Sequence, residues 1–446
     1  YWRSIGEAVG TPEHADWTDL EFPEGASELP EDFSRRDFLK LMGASAGLAG
    51  AGLLGTSCRR PEEHIVPFGN EQKFGQDYVH GVPMYFATAM PTRTGAIPLL
   101  VESNEGRPTK VEGNPDHPDS NGATDLFAQA SILNLYDPDR ARKYTKLGKP
   151  MSKADTVEEL KKLAADDKKT AFLMPAANSP SRERLITEIK ESRGENVRFY
   201  VHEAIDFGVH QRAATAAFGK SVRPYWKLDQ ASVILSLDCD FIGTEEESAR
   251  YIRDFARGRK LAKNNDSMSR LYVMEALMSQ TGANADHRLR ANASSIATAV
   301  KLIANELGIT VDGDVGQLTA DQKKWMAGCV KDLRAHNGKG LVVAGYRQPE
   351  AVHQLIHQIN DVLENNGKTV VFLSADDAAK NIEGDLSDLK SDLGKIDRII
   401  NLGCNPFYDG AVDLNWSDAA KKKTAFRLSD FAQDESHEKY GIVAPR

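Results

Sequence analysis

Cysteine is scarce in this chain of 446 residues. Four are present, Cys58, Cys239, Cys329 and Cys404, and no two of them form a CxxC pair. Structural zinc sites and iron–sulfur clusters normally take thiolate ligands from closely spaced cysteines. No cysteine lies between 58 and 239, so this stretch cannot hold a cysteine-bound cluster. The spacing favours Cys239, Cys329 and Cys404 as small, buried, apolar side chains.

Three common catalytic signatures are also missing. No GxGxxG follows a predicted strand, and neither GxxxxGK[ST] nor GxSxG occurs. The first two motifs supply backbone N–H groups to phosphates, and the third exposes a nucleophilic serine. The sequence therefore predicts no ordinary dinucleotide or nucleoside triphosphate site and no α/β-hydrolase nucleophile.

Positive charge is not concentrated anywhere. The net charge is −9, with 41% apolar and 27% charged residues. Nucleic acids and anionic lipids are bound by clustered Lys and Arg, so neither is expected as a main partner. The length predicts two to four domains at roughly 100–200 residues each.

An acidic stretch, 1–33, precedes the only long uncharged run, Leu41 to Ser57. At about 1.5 Å per residue this run reaches about 26 Å, short of the ~30 Å hydrocarbon core. The sequence Ser-Arg-Arg-Asp-Phe-Leu-Lys stands directly before it. Residues Arg35, Arg36, Phe38 and Leu39 form a twin-arginine export signal in this pattern. Alternatively, the uncharged run forms a helix that is buried in a complex and is not part of an export signal. Small residues before Cys58 suggest a lipid anchor there.

The segment 99–144 organises the next domain. Leu99 and Val101 alternate into a turn at 104–106, and a second strand follows through Val111, which predicts a hairpin. The loop Gly-Asn-Pro-Asp-His-Pro (113–118) is fixed by its prolines. A helix is expected from 123 to 136, stopped by Asp-Pro.

The hairpin, the VEGNPDHP loop and the LYDPDR segment resemble the first domain of the molybdopterin oxidoreductase superfamily. Enzymes of that superfamily carry a cysteine cluster for a [4Fe–4S] centre here. This chain has His-Gly-Val-Pro-Met at 80–84 and Asn-Gly-Ala-Thr at 121–124 instead. The resemblance implies the scaffold without its cluster.

From about residue 168 apolar strands alternate with helices, which predicts an α/β architecture with doubly wound parallel sheets. Strands are expected at 171–174, 197–201, 233–237, 271–274, 341–344, 370–373, 398–402 and 425–428. The segments GLVVAG (340–345), INLGCNPFYDG (400–410), Ala285–Leu289 and Ile442–Pro445 resemble the same superfamily. We expect a leader at 1–58, a small mixed domain at 59–150, a first Rossmann-like domain at 151–335, and a second, incomplete one at 336–446.

One loop bears on cofactor binding. In residues 238–247 five of ten side chains are carboxylates, those of Asp238, Asp240, Glu245, Glu246 and Glu247. A pterin dinucleotide places its diphosphate at such loops, near helix N-termini. Carboxylates there would satisfy the helix end and repel the diphosphate. We therefore expect no molybdenum cofactor.

Other polar residues are weaker candidates. His353 and His357 stand at i and i+4, but the glutamate of HExxH is missing, so helix-surface histidines are expected. Asp238 and Asp240 could chelate a hard cation. His117 is expected to bond within its loop. His202 and His210 have no partner pattern. No catalytic, cofactor-binding or metal-binding residue is predicted.

These features together resemble the large molybdopterin-like subunit of bacterial alternative complex III. The resemblance implies a non-catalytic half of a quinol-oxidising respiratory complex at the periplasmic face of the inner membrane. Its partners would be integral-membrane quinol-binding subunits, haem c subunits and an iron–sulfur half, in a hetero-oligomer. Iron–sulfur clusters would lie beyond residue 446 or in a partner chain.

Two other functions stay open. An active molybdopterin oxidoreductase of the polysulfide- or thiosulfate-reductase type would bind molybdenum and a pterin. A periplasmic chaperone-like or assembly module would act alone. Elemental analysis for molybdenum distinguishes the active enzyme from the scaffold. A stable complex with haem subunits would exclude the assembly module.

Overall fold

The computed structural model describes residues 81–445, except 119, 262–266, 312, 314–315, 376–380, 421–422 and 432–440, and a few residues near the N-terminus (9, 36, 37, 39, 40 and 42–45). Two compact units comprise Tyr1–Asp77 and Tyr78–Arg446. In the first unit, Arg36 and Leu39 of the predicted export signal are helical and exposed. Arg35, Phe38 and Cys58 lie outside the described residues.

The second unit begins with a three-stranded antiparallel sheet that contains the predicted hairpin. We call this sheet, together with the two short helices that follow it, the small domain. Glu105 and Gly106 form its two-residue turn with φ of 51° and 80°, as the right-handed strand twist favours. Gly113 ends the hairpin where a Cβ would lie 2.4 Å from the carbonyl oxygens of Gly122 and Ala123. The strands are β1 (Met84–Pro91), β2 (Ala96–Asn104) and β3 (Arg107–Gly113).

The single helix expected over 123–136 is two short helices, α1 (Leu126–Ala130) and α2 (Leu133–Tyr136). Asp125 caps α1 by accepting a hydrogen bond from the Ala128 N–H at 2.7 Å. The Ser131 hydroxyl donates to the Ala128 carbonyl at 2.8 Å, a local bond that competes with helix continuation.

A seven-stranded mixed sheet forms the first α/β lobe, which we call the large-sheet lobe. Five adjacent strands, which reach one edge of the sheet, are parallel, and the strand Tyr144–Lys146 pairs antiparallel with Ile442–Pro445 and with Lys149–Met151. In spatial order the strands are β5 (Lys149–Met151), β4 (Tyr144–Lys146), β16 (Ile442–Pro445), β15 (Thr424–Ser429), β14 (Arg398–Leu402), β6 (Thr170–Met174) and β7 (Val197–Val201).

Helices cover both faces of this sheet. Leu160 and Ile186, from α3 and α4, pack on one face, and Leu389 and Trp416, from α11 and α13, pack on the other. The helices of this lobe are α3 (Lys153–Ala165), α4 (Pro180–Arg193), α11 (Leu386–Asp392), α12 (Pro406–Asp409) and α13 (Trp416–Ala420).

The second lobe, the inserted lobe, lies between β7 and β14 in the chain. Its parallel sheet has the order β11 (His287–Arg290), β10 (Arg270–Glu275), β9 (Val233–Leu237) and β12 (Gly340–Ala344), and β8 (Val222–Trp226) pairs with β13 (Val370–Ser374). Its helices are α5 (Val209–Phe218), α6 (Ser248–Arg259), α7 (Gln280–Ala283), α8 (Ala293–Glu306), α9 (Ala320–Ala335) and α10 (Glu350–Val362).

The sheets do not follow the expected division at residue 335. Strand β12, assigned to the second domain, pairs with β9 from the first. Strand β6, assigned to the first domain, pairs with β14 from the second. Because parallel pairing is set by long-range contacts, local strand and helix patterns cannot reveal that one lobe is inserted into another.

Within the described residues, no helix combines the length and the apolar character that crossing a membrane requires.

Candidate functional site

The turn between β1 and β2 lies between the two lobes. Arg93 in this turn donates from Nε to Glu246 Oε1 at 2.8 Å and from Nη2 to Glu246 Oε2 at 2.5 Å. On the other side, Asn178 Nδ2 donates to the Thr94 carbonyl oxygen at 3.3 Å. Glu246 belongs to the inserted lobe and Asn178 to the large-sheet lobe, so this turn connects both to the small domain.

Two cavities open beside the turn. One, of about 480 Å³, is lined by Arg93, Asn178, Arg182 and Arg223 among others. The other, of about 640 Å³, shares Arg93 and Arg182 and adds Glu203. Burial raises the pKa of Glu203. We call these two cavities together the cleft. Their volumes suit small ligands, so the cleft is the candidate cofactor site.

The arginines of the cleft are already engaged. Arg182 donates to the carbonyl oxygens of Pro175 and Ala177 at 2.6 and 2.8 Å. Arg223 and Arg250 both donate to the carboxylate of Glu247. The guanidinium groups of Arg223 and Arg250 are therefore paired with a carboxylate of the chain itself, and two N–H groups of Arg182 are directed at backbone carbonyls.

The acidic loop differs from expectation in one respect. Glu247 stands at the N-cap of α6 with φ of 63°, but its side chain makes no capping hydrogen bond. Its carboxylate pairs with the two arginines instead. The interpretation that the loop carboxylates satisfy the helix end is therefore wrong. Glu246 and Glu247 pair with guanidinium groups instead.

The two remaining aspartates have separate partners. Asp240 Oδ1 accepts from the Thr281 N–H and hydroxyl, both at 2.9 Å. Asp238, with φ of 55°, accepts from Gln348 Nε2 at 3.2 Å, and burial raises its pKa. Across the described residues, no group of three or more His, Cys, Asp or Glu is arranged to hold a metal ion.

The histidines at i and i+4 are not on the helix surface as expected. His353 and His357 are 4% and 8% exposed, and burial lowers their pKa to about 3 and about 4. They face α5, where the His210 ring centroid lies 4.7 Å from that of His353. The rings of Phe218 and Phe372 pack against His357. This face of α10 is therefore covered by the rest of the lobe.

Sequence reasoning missed two histidine–carboxylate contacts. His210 Nε2 lies 3.0 Å from Glu245 Oε2, and His202 Nε2 lies 2.8 Å from Asp409 Oδ1. Glu245 also accepts from the Tyr346 N–H at 2.9 Å. The partners are up to 207 residues apart in sequence, so no local signal could identify them.

The remaining predicted residues lie apart from the cleft or serve packing. The backbone of His117 stays within its loop, bonded to Asn114 and Asn121. Cys239, Cys329 and Cys404 are buried, as predicted. Burial raises the pKa of the Cys239 and Cys329 thiols, which suits apolar packing rather than reactivity.

Neither protein-family profiles nor curated protein sequences match this chain. Among solved structures, acetylene hydratase from Pelobacter acetylenicus is similar, with a TM-score of 0.55 and 9% identity. The match covers 80% of this chain and 62% of that one. At this identity the fold alone is shared. This chain has an α/β fold.

A second similar structure is the formyltransferase/hydrolase complex from Methylorubrum extorquens, with a TM-score of 0.43 and 14% identity. That match covers 68% of this chain and 85% of the other.

Proposed function

We propose that this chain is a non-catalytic scaffold, the molybdopterin-oxidoreductase-like half of the large subunit of an alternative complex III. In that role it holds iron–sulfur and haem c modules against integral-membrane quinol-binding subunits at the periplasmic face of the inner membrane. The similarity to acetylene hydratase, a molybdopterin-enzyme-like fold, supports the family. The missing cysteines between 58 and 239 support the loss of its cluster.

A pterin dinucleotide does not fit the charges of the cleft. Its diphosphate needs unengaged cations or backbone N–H groups at a helix N-terminus. Arg93 is occupied by Glu246, and Arg223 and Arg250 are occupied by Glu247. Both glutamates stand at the start of α6, so a diphosphate would meet two carboxylates there. The pairing of Glu246 and Glu247 with these arginines is the main observation that supports the proposal.

The scaffold role is tested by isolating the tagged full-length chain from membranes in detergent. We expect a complex of fixed stoichiometry that contains haem c, iron–sulfur and integral-membrane subunits and oxidises quinol. Isolation of the chain alone would contradict the proposal. Reduction of polysulfide or thiosulfate by the purified chain would favour the alternative of an active molybdopterin enzyme.

A further inference from the structure

Helices α1 and α2 expose five large apolar side chains within eleven residues. Leu126, Phe127, Leu133, Leu135 and Tyr136 are 65%, 58%, 67%, 46% and 50% exposed. We call these five residues the α1–α2 surface. Scattered single apolar residues on a surface are ordinary, but a contiguous group marks an interaction site.

The exposure is not explained by loose attachment of the helices. Ala128 is fully buried against Leu99 and Val111 of the sheet. The Tyr136 hydroxyl donates to the Pro108 carbonyl oxygen at 2.5 Å, and Asp125 caps α1. The small domain therefore holds the helices in place while their large apolar side chains stay uncovered.

The area of the α1–α2 surface is comparable to that of the largest apolar patch on a typical monomer, which is often functional. Five side chains of this size, each about half or more exposed, present roughly 500 Å² of apolar surface. The largest apolar patch on a typical monomer is about 300–600 Å². One partner in a standard interface buries about 800 Å². The five residues could thus supply most of one side of a stable interface.

The charge around the surface restricts what can cover it. From Val111 to Asp139 the sequence has no Lys or Arg and six carboxylates, at Glu112, Asp116, Asp119, Asp125, Asp137 and Asp139. The cations that flank this segment in the sequence have partners, Lys110 with Glu112 at 3.2 Å and Arg140 with the Asn134 carbonyl at 3.2 Å. An anionic bilayer would be repelled. A second copy would bring the same carboxylates face to face.

We propose that the α1–α2 surface docks a different polypeptide chain, one with an apolar centre and a rim of Lys and Arg. The contact is made by the five apolar residues, and the carboxylates of the same chain segment favour a partner with Lys and Arg. This inference deepens the scaffold function and rests on it only for the identity of the partner, which would be a subunit of the complex.

The test uses the full-length chain in its native membranes. Because Leu126 and Leu133 are exposed, the L126D/L133D variant should fold. We expect the amount of partner chain that copurifies with this variant to fall by about tenfold or more. Val412 is 93% exposed and lies outside the surface, so V412D is the matched control and should retain the partner. Equal retention by both variants would overturn the proposal.

A photoreactive amino acid at position 133 identifies what lies on the surface. We expect cross-links to a peptide of another chain in which apolar residues are flanked by Lys or Arg. Cross-links only to lipid, only to a second copy, or to nothing would overturn the docking proposal. A partner with the expected chemistry that is not a haem c, iron–sulfur or membrane subunit would support docking and contradict the scaffold function.

Discussion

Arg93 and Glu246 are 153 residues apart in the sequence and form a two-point ion pair between the small domain and the inserted lobe. Each side chain is 19% exposed, so water screens the pair only weakly. The pair occupies a guanidinium group that an anionic cofactor in the cleft would otherwise use. It also holds the β1–β2 turn in place between the lobes.

Removing one member of this pair should destabilise the protein. For R93A we expect a loss of about 2–3 kcal/mol in the free energy of unfolding, because Glu246 keeps a largely buried charge. The pair Arg212–Asp206, with side chains 52% and 62% exposed, offers a control, and R212A should change stability by less than about 1 kcal/mol. Urea denaturation measures both. Equal losses would show that Arg93 contributes no more than a surface arginine.

Acidification should weaken the inserted lobe through His353 and His357. Their pKa values, about 3 and about 4 when folded, compare with about 6.5 when unfolded. Above pH 6.5 both histidines are neutral in the folded and in the unfolded chain. As the pH falls from 6.5 toward 4, the unfolded chain binds protons that the folded chain does not, so the free energy of unfolding decreases. The loss is about 1.4 kcal/mol per pH unit for each histidine.

The matched variants are H357F, which keeps a ring beside Phe218 and Phe372, and I356V in the same helix. Urea denaturation at pH 7 and pH 5 should show a flatter pH dependence for H357F. For I356V stability should fall by about 1 kcal/mol at both pH values, with the wild-type pH dependence. An unchanged pH dependence in H357F would mean that folding does not lower the pKa of this histidine.

Gly345 should tolerate no side chain. It follows β12, and a Cβ there would lie 1.9 Å from the Asp238 carbonyl oxygen, where the backbone of both residues would have to move. We expect G345A to cost about 3 kcal/mol or more. Gly328 lies in α9 with open space around it, so G328A should stabilise by about 0.5–1 kcal/mol. Thermal unfolding of the two variants should shift the midpoint in opposite directions, and a similar shift in both would refute the close approach.

Asn360 should be essential to the edge strand β12. Its Nδ2 donates to the Val342 carbonyl at 2.7 Å, and its Oδ1 accepts from the Val342 N–H at 3.1 Å. The side chain thus replaces a neighbouring strand. N360L leaves two buried backbone groups unpaired and should cost about 2–4 kcal/mol. Q354A, which removes a bond within α10, should cost less than about 0.5 kcal/mol. Comparable losses would argue against this role.

Several parts of the fold were predictable because their signals are local. The alternating pattern and the Asn-Glu-Gly turn predicted the β2–β3 hairpin. The apolar runs predicted the bounds of β6, β9 and β12 to within one residue. The inserted lobe was not predictable, since β6 and β14 pair across more than 200 residues. The same limit applies to the cleft. Five carboxylates were visible in the acidic loop, but Arg93 and Arg223, which pair with Glu246 and Glu247, come from other parts of the chain.

We propose that the chain keeps the framework of a molybdopterin enzyme and that its own carboxylates pair with the arginines that an anionic cofactor would use. The most direct test is the molybdenum, tungsten and pterin content of the native complex, purified through the full-length chain and quantified per chain. We expect no stoichiometric amount of either metal and no extractable pterin. One metal atom with bound pterin per chain would contradict it.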